Sequence, residues 1–127
     1  MGLDIHAHFE IKVKGKWLHY SQPNIYRNYS LFDKMAMVIG DDEGGMEAKG
    51  LPNDMTETTK LCSKIDKPDS QYHSWMSSLE IIDLNKVFRL RCEDFGFLFG
   101  NSWWNFRKYR DDYPKEVEDF RLIFWFK

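Results

Sequence analysis

Three of the four histidines in this 127-residue chain fall within its first 19 residues, at spacings that can support chemistry. Between Asp4 and Val13 the polar side chains Asp4, His6, His8 and Glu10 stand at every second position, opposite Ile5, Ala7, Phe9, Ile11 and Val13. Alternation at period two puts the two sets on opposite faces of a strand. The apolar set belongs to a core. Two histidines at i and i+2 can both reach one divalent metal, with Asp4 or Glu10 as a further ligand. They can also act as general acid or base while a carboxylate orients them. Without a metal, they can donate hydrogen bonds to a bound ligand, or simply form a hydrogen-bonded polar face. The chain has no cysteine pair and no HExxH spacing, so the reading adopted is a metal-free ligand site. No cofactor is expected. A divalent metal on Asp4, His6, His8 and Glu10 stands as the alternative.

Three other segments carry polar groups in suggestive arrangements. In His73-Ser74-Trp75 a Ser–His nucleophilic pair is rejected, because neighbours on an extended segment point apart and no G-x-S-x-G elbow is present. As a ligand clamp the segment is sound: imidazole and indole rings stack on bases, and the helix expected next offers free N–H groups to an anion. Arg27 in Arg27-Asn28-Tyr29 precedes an expected helix start and can pair with phosphate or carboxylate. The glycine- and acid-rich stretch 40–50 lacks the Lys and Ser/Thr of a phosphate loop and the oxygen-ligand alternation of an EF-hand, so it reads as a lid or connector.

The elements that must position these groups follow from periodicity. Residues 4–20 read as a β-hairpin with a two-residue turn at Gly15-Lys16. That turn pairs Val13 with Leu18 and Lys12 with His19, and brings His19 onto the face of His6 and His8. Pro23 and Asn24 break a loop over 21–28. Apolar residues from Tyr29 to Ile39 recur at helical spacing, with Asn28 or Ser30 as cap and Gly40 as stop. A second helix is expected over Thr56 to Ile65, with Leu61, Cys62 and Ile65 inward. Ser77 and Glu80 form a capping box that starts a third helix near Ser78, using Leu79, Ile82 and Val87. The closing FRLIFWFK is a strand apolar on both faces, which suits a sheet centre covered on two sides. Residues 92–119 resist assignment. The expected fold is α+β in a single domain, 1–127: a small antiparallel or mixed sheet of N-terminal hairpin and C-terminal strand, with two or three short helices packed on it.

Composition narrows the function classes. Hydrophobic residues make up 43% and aromatics 17% of the chain, enough for a real core. The net charge of −2 argues against general nucleic-acid binding. The basic run around Arg107, Lys108 and Arg110 is followed at once by Asp111 and Asp112, and reads as a solvated turn. Cys62 and Cys92 show neither metal spacing nor a disulfide framework and fit a reducing compartment. There is no signal-peptide pattern and no run apolar and long enough to span a bilayer, so a cytoplasmic protein without a membrane partner is expected.

The opening MGLDIHAHFEIKVKGKW, the run HYSQPNIYRNYSLFDKMA, GLP at 50–52, HSW at 73–75 and the closing FRLIFWF together resemble a family of small uncharacterised proteins. Its members occur in bacteriophages, prophages and bacteria, and typically open Met-Gly-Cys-Asp-Ile-His and end on a Phe-Trp-Phe strand. The resemblance covers most of the chain and brings no established activity. Leu3 stands where Cys is common, the segment after the first helix is acidic where Val-Arg-Gly is frequent, and the usual His-Ser-x-Ser-Trp fits 71–75 only loosely. Asp4, His6, Arg27, Asn28, Tyr29 and Pro52 carry over. The resemblance implies a phage setting, hence the host cytoplasm. The leading expectation is an accessory protein that binds a small anionic ligand, most plausibly a nucleotide, through Asp4, His6, His8, His19, Arg27, Asn28, Tyr29, His73, Ser74 and Trp75. In a phage it could sequester a nucleotide signal of host defence. One alternative is a small metal-dependent or acid–base hydrolase acting on a nucleotide-like substrate. Another is a protein-binding inhibitor of a host factor, using aromatics around Trp103 and Trp104. A homodimer or higher homo-oligomer is left open.

Overall fold

The alternating segment forms strand β1, Ile5–Val13, in a computed structural model that describes residues 2–40, 44–88 and 117–127. Lys14 (φ 50°) and Gly15 (φ 75°) both take left-handed backbone, as a two-residue type I′ turn requires. The turn is therefore Lys14-Gly15, one residue earlier than expected, and β2 runs Lys16–Ser21. Val13 pairs with Lys16, Ile11 with Leu18 and Glu10 with His19. This corrects the Val13–Leu18 and Lys12–His19 pairing by two places. Because side chains alternate with period two, an even shift leaves His19 on the face of His6 and His8.

The C-terminal strand β4, Val117–Phe126, lies antiparallel to β1 from Ile5↔Phe126 to Val13↔Val117. On its other side it pairs with β3, Gln71–Ser77. Among the described residues the sheet has four antiparallel strands in the order β2-β1-β4-β3, with β1 and β4 central. Every residue from Phe120 to Phe126 is buried, as expected of a strand apolar on both faces.

Among the described residues three helices complete the α+β fold. Helix α1, Tyr29–Ala36, is capped by Asn28, whose side chain accepts from the Leu31 N–H. It ends earlier than Gly40: Met37 turns left-handed, and the Asp33 carboxylate accepts from the N–H groups of Ile39 and Gly40, both at 2.8 Å. Helix α2, Glu57–Asp66, starts from Thr56 and runs into a 3₁₀ turn over Lys67–Asp69. Helix α3, Ser78–Phe88, begins with the expected capping box: the Glu80 N–H donates to Ser77 Oγ (3.3 Å) and the Ser77 N–H donates to Glu80 Oε1 (3.0 Å). Among the described residues no helix is long and apolar enough to cross a membrane.

The sheet has two unlike faces. One buries Ile5, Ala7, Phe9, Met76, Phe120, Leu122, Phe124 and Phe126 against Leu31, Phe32 and Met35 of α1 and Ile81 and Leu84 of α3. Phe9 stacks on Phe120 with ring centroids 5.5 Å apart. The other face carries the histidines, and α2 lies over it. The inward residues of α2 are Thr59 and Ser63, whereas Leu61 is 60% and Ile65 67% exposed. Of the expected inward set Leu61, Cys62 and Ile65, Cys62 is half-buried while Leu61 and Ile65 face outward, because the surface beneath α2 is polar and needs hydroxyl donors.

Residues 46–50 reach α2 by way of the sheet edge. The N–H groups of Met46, Lys49 and Gly50 donate to Lys34 O (3.0 Å), Ser74 Oγ (2.9 Å) and His73 O (2.8 Å). This covers β3, which would otherwise be a bare edge strand. Cys92, Trp103, Trp104, Arg107, Lys108 and Arg110 lie outside the described residues. Phe9→Ala should lose about 3–5 kcal/mol in urea unfolding, since it opens a cavity among rings. Leu61→Ser should stay within about 0.5 kcal/mol, as expected of an exposed position; a large loss there would refute the reversed helix.

Candidate functional site

Glu10 is fully buried, and a carboxylate in that position has to be paired. Its Oε1 accepts from Arg121 Nε (2.9 Å) and Nη2 (2.7 Å). Its Oε2 accepts from the Thr56 N–H (3.1 Å), Thr56 Oγ1 (2.7 Å) and Thr59 Oγ1 (2.6 Å). Burial alone would raise its pKa, but the bonds from Thr59, Thr56 and Arg121 outweigh it and hold the carboxyl below 4.5. Arg121 also donates through Nη1 to Asp54 Oδ1 (2.8 Å), and its guanidinium lies 4.0 Å from the Trp17 ring centroid. Both oxygens of Glu10 are therefore engaged, and this residue drops out of the expected ligand or general-base set.

His8 is buried too. Its Nδ1 lies 2.9 Å from His19 Nε2, so one of these nitrogens donates and the other accepts. Its ring stacks on Trp125 at 5.2 Å. Burial first, and His19 second, push its pKa down from 6.5 to about 4. His19 is lowered as well, by burial, with Glu10 opposing. At neutral pH the pair is uncharged.

His6 differs in being part-exposed, with its Nδ1 3.9 Å from Asp66 Oδ2 at the end of α2. Asp66 accepts from Trp125 Nε1–H (3.0 Å) and Lys127 Nζ (3.3 Å). Burial works to raise the Asp66 pKa, but those bonds and the positive charge of Lys127 bring it below its ordinary value. It stays a carboxylate beside an imidazole.

Beside this pair lies an open cleft of about 500 Å³. His6 and His8 line it from β1, Cys62, Ile65 and Asp66 from α2, and residues 22–27 and Asp4 complete it. Arg27 donates through Nε to Asp4 Oδ1 (2.9 Å), with Nη2 also 2.9 Å from that oxygen. Of the expected site residues the structure thus assembles Asp4, His6, His8 and Arg27 around one concavity.

The others serve elsewhere. Asn28 caps α1, and Tyr29 Oη accepts from the Leu3 N–H at 2.9 Å. His73 Nε2 pairs with Ser70 Oγ (2.8 Å), Ser74 accepts from Lys49, and the Trp75 ring lies 4.0 Å below Lys49 Nζ. His73, Ser74 and Trp75 do not line the cleft, and at the helix start after them the Glu80 N–H is already taken by Ser77 Oγ. His19 backs His8 rather than the opening. Among the described residues no three His, Cys, Asp or Glu side chains converge as a metal ion would need. The set proposed from spacing is divided: Asp4 faces Arg27, His6 faces Asp66, His8 faces His19 and Glu10 faces Arg121.

Sequence reasoning missed Tyr26, Ile65 and Asp66 as lining residues. Ile65 was assigned to the core and Asp66 to a helix stop, and periodicity holds no sign of a helix laid over a polar face. No protein-family model, curated protein or solved structure matches the chain.

The buried His8–His19 pair sets an acid response. Between pH 6.5 and about 4 the unfolded chain protonates His8 while the folded chain does not, so the unfolded state binds more protons and stability falls on acidification. It should be flat above 6.5 and decline below, at up to about 1.4 kcal/mol per pH unit for each proton. Below 4.5 protonation of Glu10 adds a further loss, because its folded pKa is depressed. His8→Phe, which keeps a ring against Trp125, should make the first decline shallower, leaving the part due to His19 and His73, and spare the second in denaturation curves from pH 7 to 4. An unchanged slope in this variant would contradict the buried neutral histidine.

Proposed function

We propose that this chain is a small accessory protein that binds a small anionic ligand of the nucleotide class in the cleft between β1, α2 and residues 22–27. One observation carries the reading. Tyr26 (64% exposed) and Ile65 (67% exposed) line the same concavity as Arg27 and His6. Single exposed apolar residues are ordinary. Two of them lining one cleft beside a guanidinium supply what a nucleotide needs: apolar surface for a flat base, and a forked donor for phosphate. The volume of about 500 Å³ suits a small-molecule site. His6 supplies a hydrogen bond, and Asp66 an acceptor for base N–H groups. The family resemblance adds the phage setting, in which such a protein serves by sequestering a nucleotide signal of host defence.

The contact of His6 with Asp66 favours a second reading, an acid–base hydrolase for a nucleotide-like substrate. There His6 is the general base, and Asp66 rather than Glu10 orients it. The two readings part on turnover.

Calorimetry against mononucleotides, cyclic nucleotides and ADP-ribose derivatives should find a binder. Mass spectrometry of the mixture then returns it intact for a binding protein or cleaved for a hydrolase. Absence of heat across the panel would overturn both. His6→Ala should leave unfolding within about 0.5 kcal/mol, since the side chain is part-exposed. It should weaken binding roughly 10- to 100-fold, the cost of a hydrogen bond to a charged group.

A further inference from the structure

The pairing of Arg27 with Asp4 is lopsided. Nε and Nη2 of Arg27 both approach one oxygen, Asp4 Oδ1, at 2.9 Å each. A carboxylate seated side-on to a guanidinium ordinarily presents one oxygen to each of these two donors. The pair is also open to water, with the two side chains 46% and 60% exposed, and an exposed ion pair of this kind is weak. On its other side the guanidinium lies against backbone. A Cβ at residue 2 would collide with Arg27 Nη1 and Cζ and approach Tyr29 Oη at 2.8 Å, so the backbone of Gly2 lies directly against the guanidinium. The backbone of Asp4 is fixed by reciprocal bonds with Lys127 at 3.1 and 3.0 Å. The Asp4 side chain, 60% exposed, can turn without disturbing that backbone, and it lines the cleft together with Arg27.

We infer that Asp4 is a built-in competitor for the ligand's anion. Its carboxylate occupies the Nε–Nη2 edge of Arg27, and the ligand binds by exchanging its own phosphate for that carboxylate. The inference rests on the anionic-ligand reading above and sharpens its ligand class. A terminal phosphate monoester offers separate oxygens for the two N–H donors and carries nearly two negative charges near neutral pH. A phosphodiester, as in a cyclic nucleotide, carries one, the same as the group it has to displace. The exchange therefore selects phosphate monoesters over cyclic or neutral analogues.

The experiment follows the Arg27 Nε–Hε resonance by NMR, identified by its loss in Arg27→Lys, during titration with inorganic phosphate, AMP and cyclic AMP. Ile65 methyl signals report the other side of the cleft. Phosphate and AMP should shift the Arg27 signal and cyclic AMP should shift it at least tenfold less readily. Asp4→Asn, which keeps shape and removes charge, should tighten phosphate and AMP binding about fivefold or more and narrow the gap to cyclic AMP. Weaker or unchanged binding in Asp4→Asn, or an Arg27 signal unmoved by phosphate in both proteins, would overturn the exchange. If AMP then still moves the Ile65 methyls, the cleft reading survives its loss. If phosphate behaves as predicted while no nucleotide moves Ile65, the exchange stands and the nucleotide reading fails.

Discussion

Glu10 and Arg121 face each other across the two central strands, at one register position of the β1–β4 ladder, and the polar half of the molecule is arranged around them. A buried ion pair contributes little net stability, but breaking it leaves an uncompensated charge. That asymmetry makes it a strong specifier. The second oxygen of Glu10 needs donors, and Thr56 and Thr59 bring them from the start of α2. The remaining donors of Arg121 need an acceptor, and Asp54 supplies one just before the helix. Trp17 from β2 covers the guanidinium. One pair of charges thus ties together three strands, a connecting segment and the N-terminus of α2.

The opposite end of α2 is fastened by different chemistry. Asp66 receives the indole N–H of Trp125, near the C-terminal end of β4, and the ammonium of Lys127, the residue after that strand. Held at its two ends, the helix lies over the sheet with hydroxyls inward, and its apolar Leu61 and Ile65 turned outward. The cleft forms where this fastened helix end, the start of β1 and residues 22–27 meet. The interactions that fasten α2 also set the carboxylate of Asp66 beside the imidazole of His6.

The two sheet faces divide the labour. The apolar face supplies cohesion through stacked and edge-packed rings such as Phe9–Phe120 and Phe32–Phe126. The polar face supplies position. Its histidines fall in two environments: His8 is sunk between His19 and Trp125 and uncharged at neutral pH, while His6 reaches the opening beside Asp66. Two residues apart on one strand, they take separate roles because α2 roofs one and stops at the other.

By itself the sequence determined what depends on neighbours along the chain. Period-two alternation located β1 and sorted its faces, the Ser77–Glu80 spacing located the start of α3, and the doubly apolar FRLIFWF marked a central strand. These signals are local, because they arise from backbone geometry and from caps three residues long. Tertiary structure decided the rest. Glu10 and Arg121 stand more than a hundred residues apart, and no periodicity announces that they meet. That meeting made the roof over the histidines polar, turned α2 over, and took Glu10 out of the candidate site. The same event brought Ile65 and Asp66 to a cleft whose other lining, Tyr26 and Arg27, sits in a loop with no pattern to read. A site is a coincidence of distant residues, and only closure of the chain by long-range pairing and buried charge could bring these together.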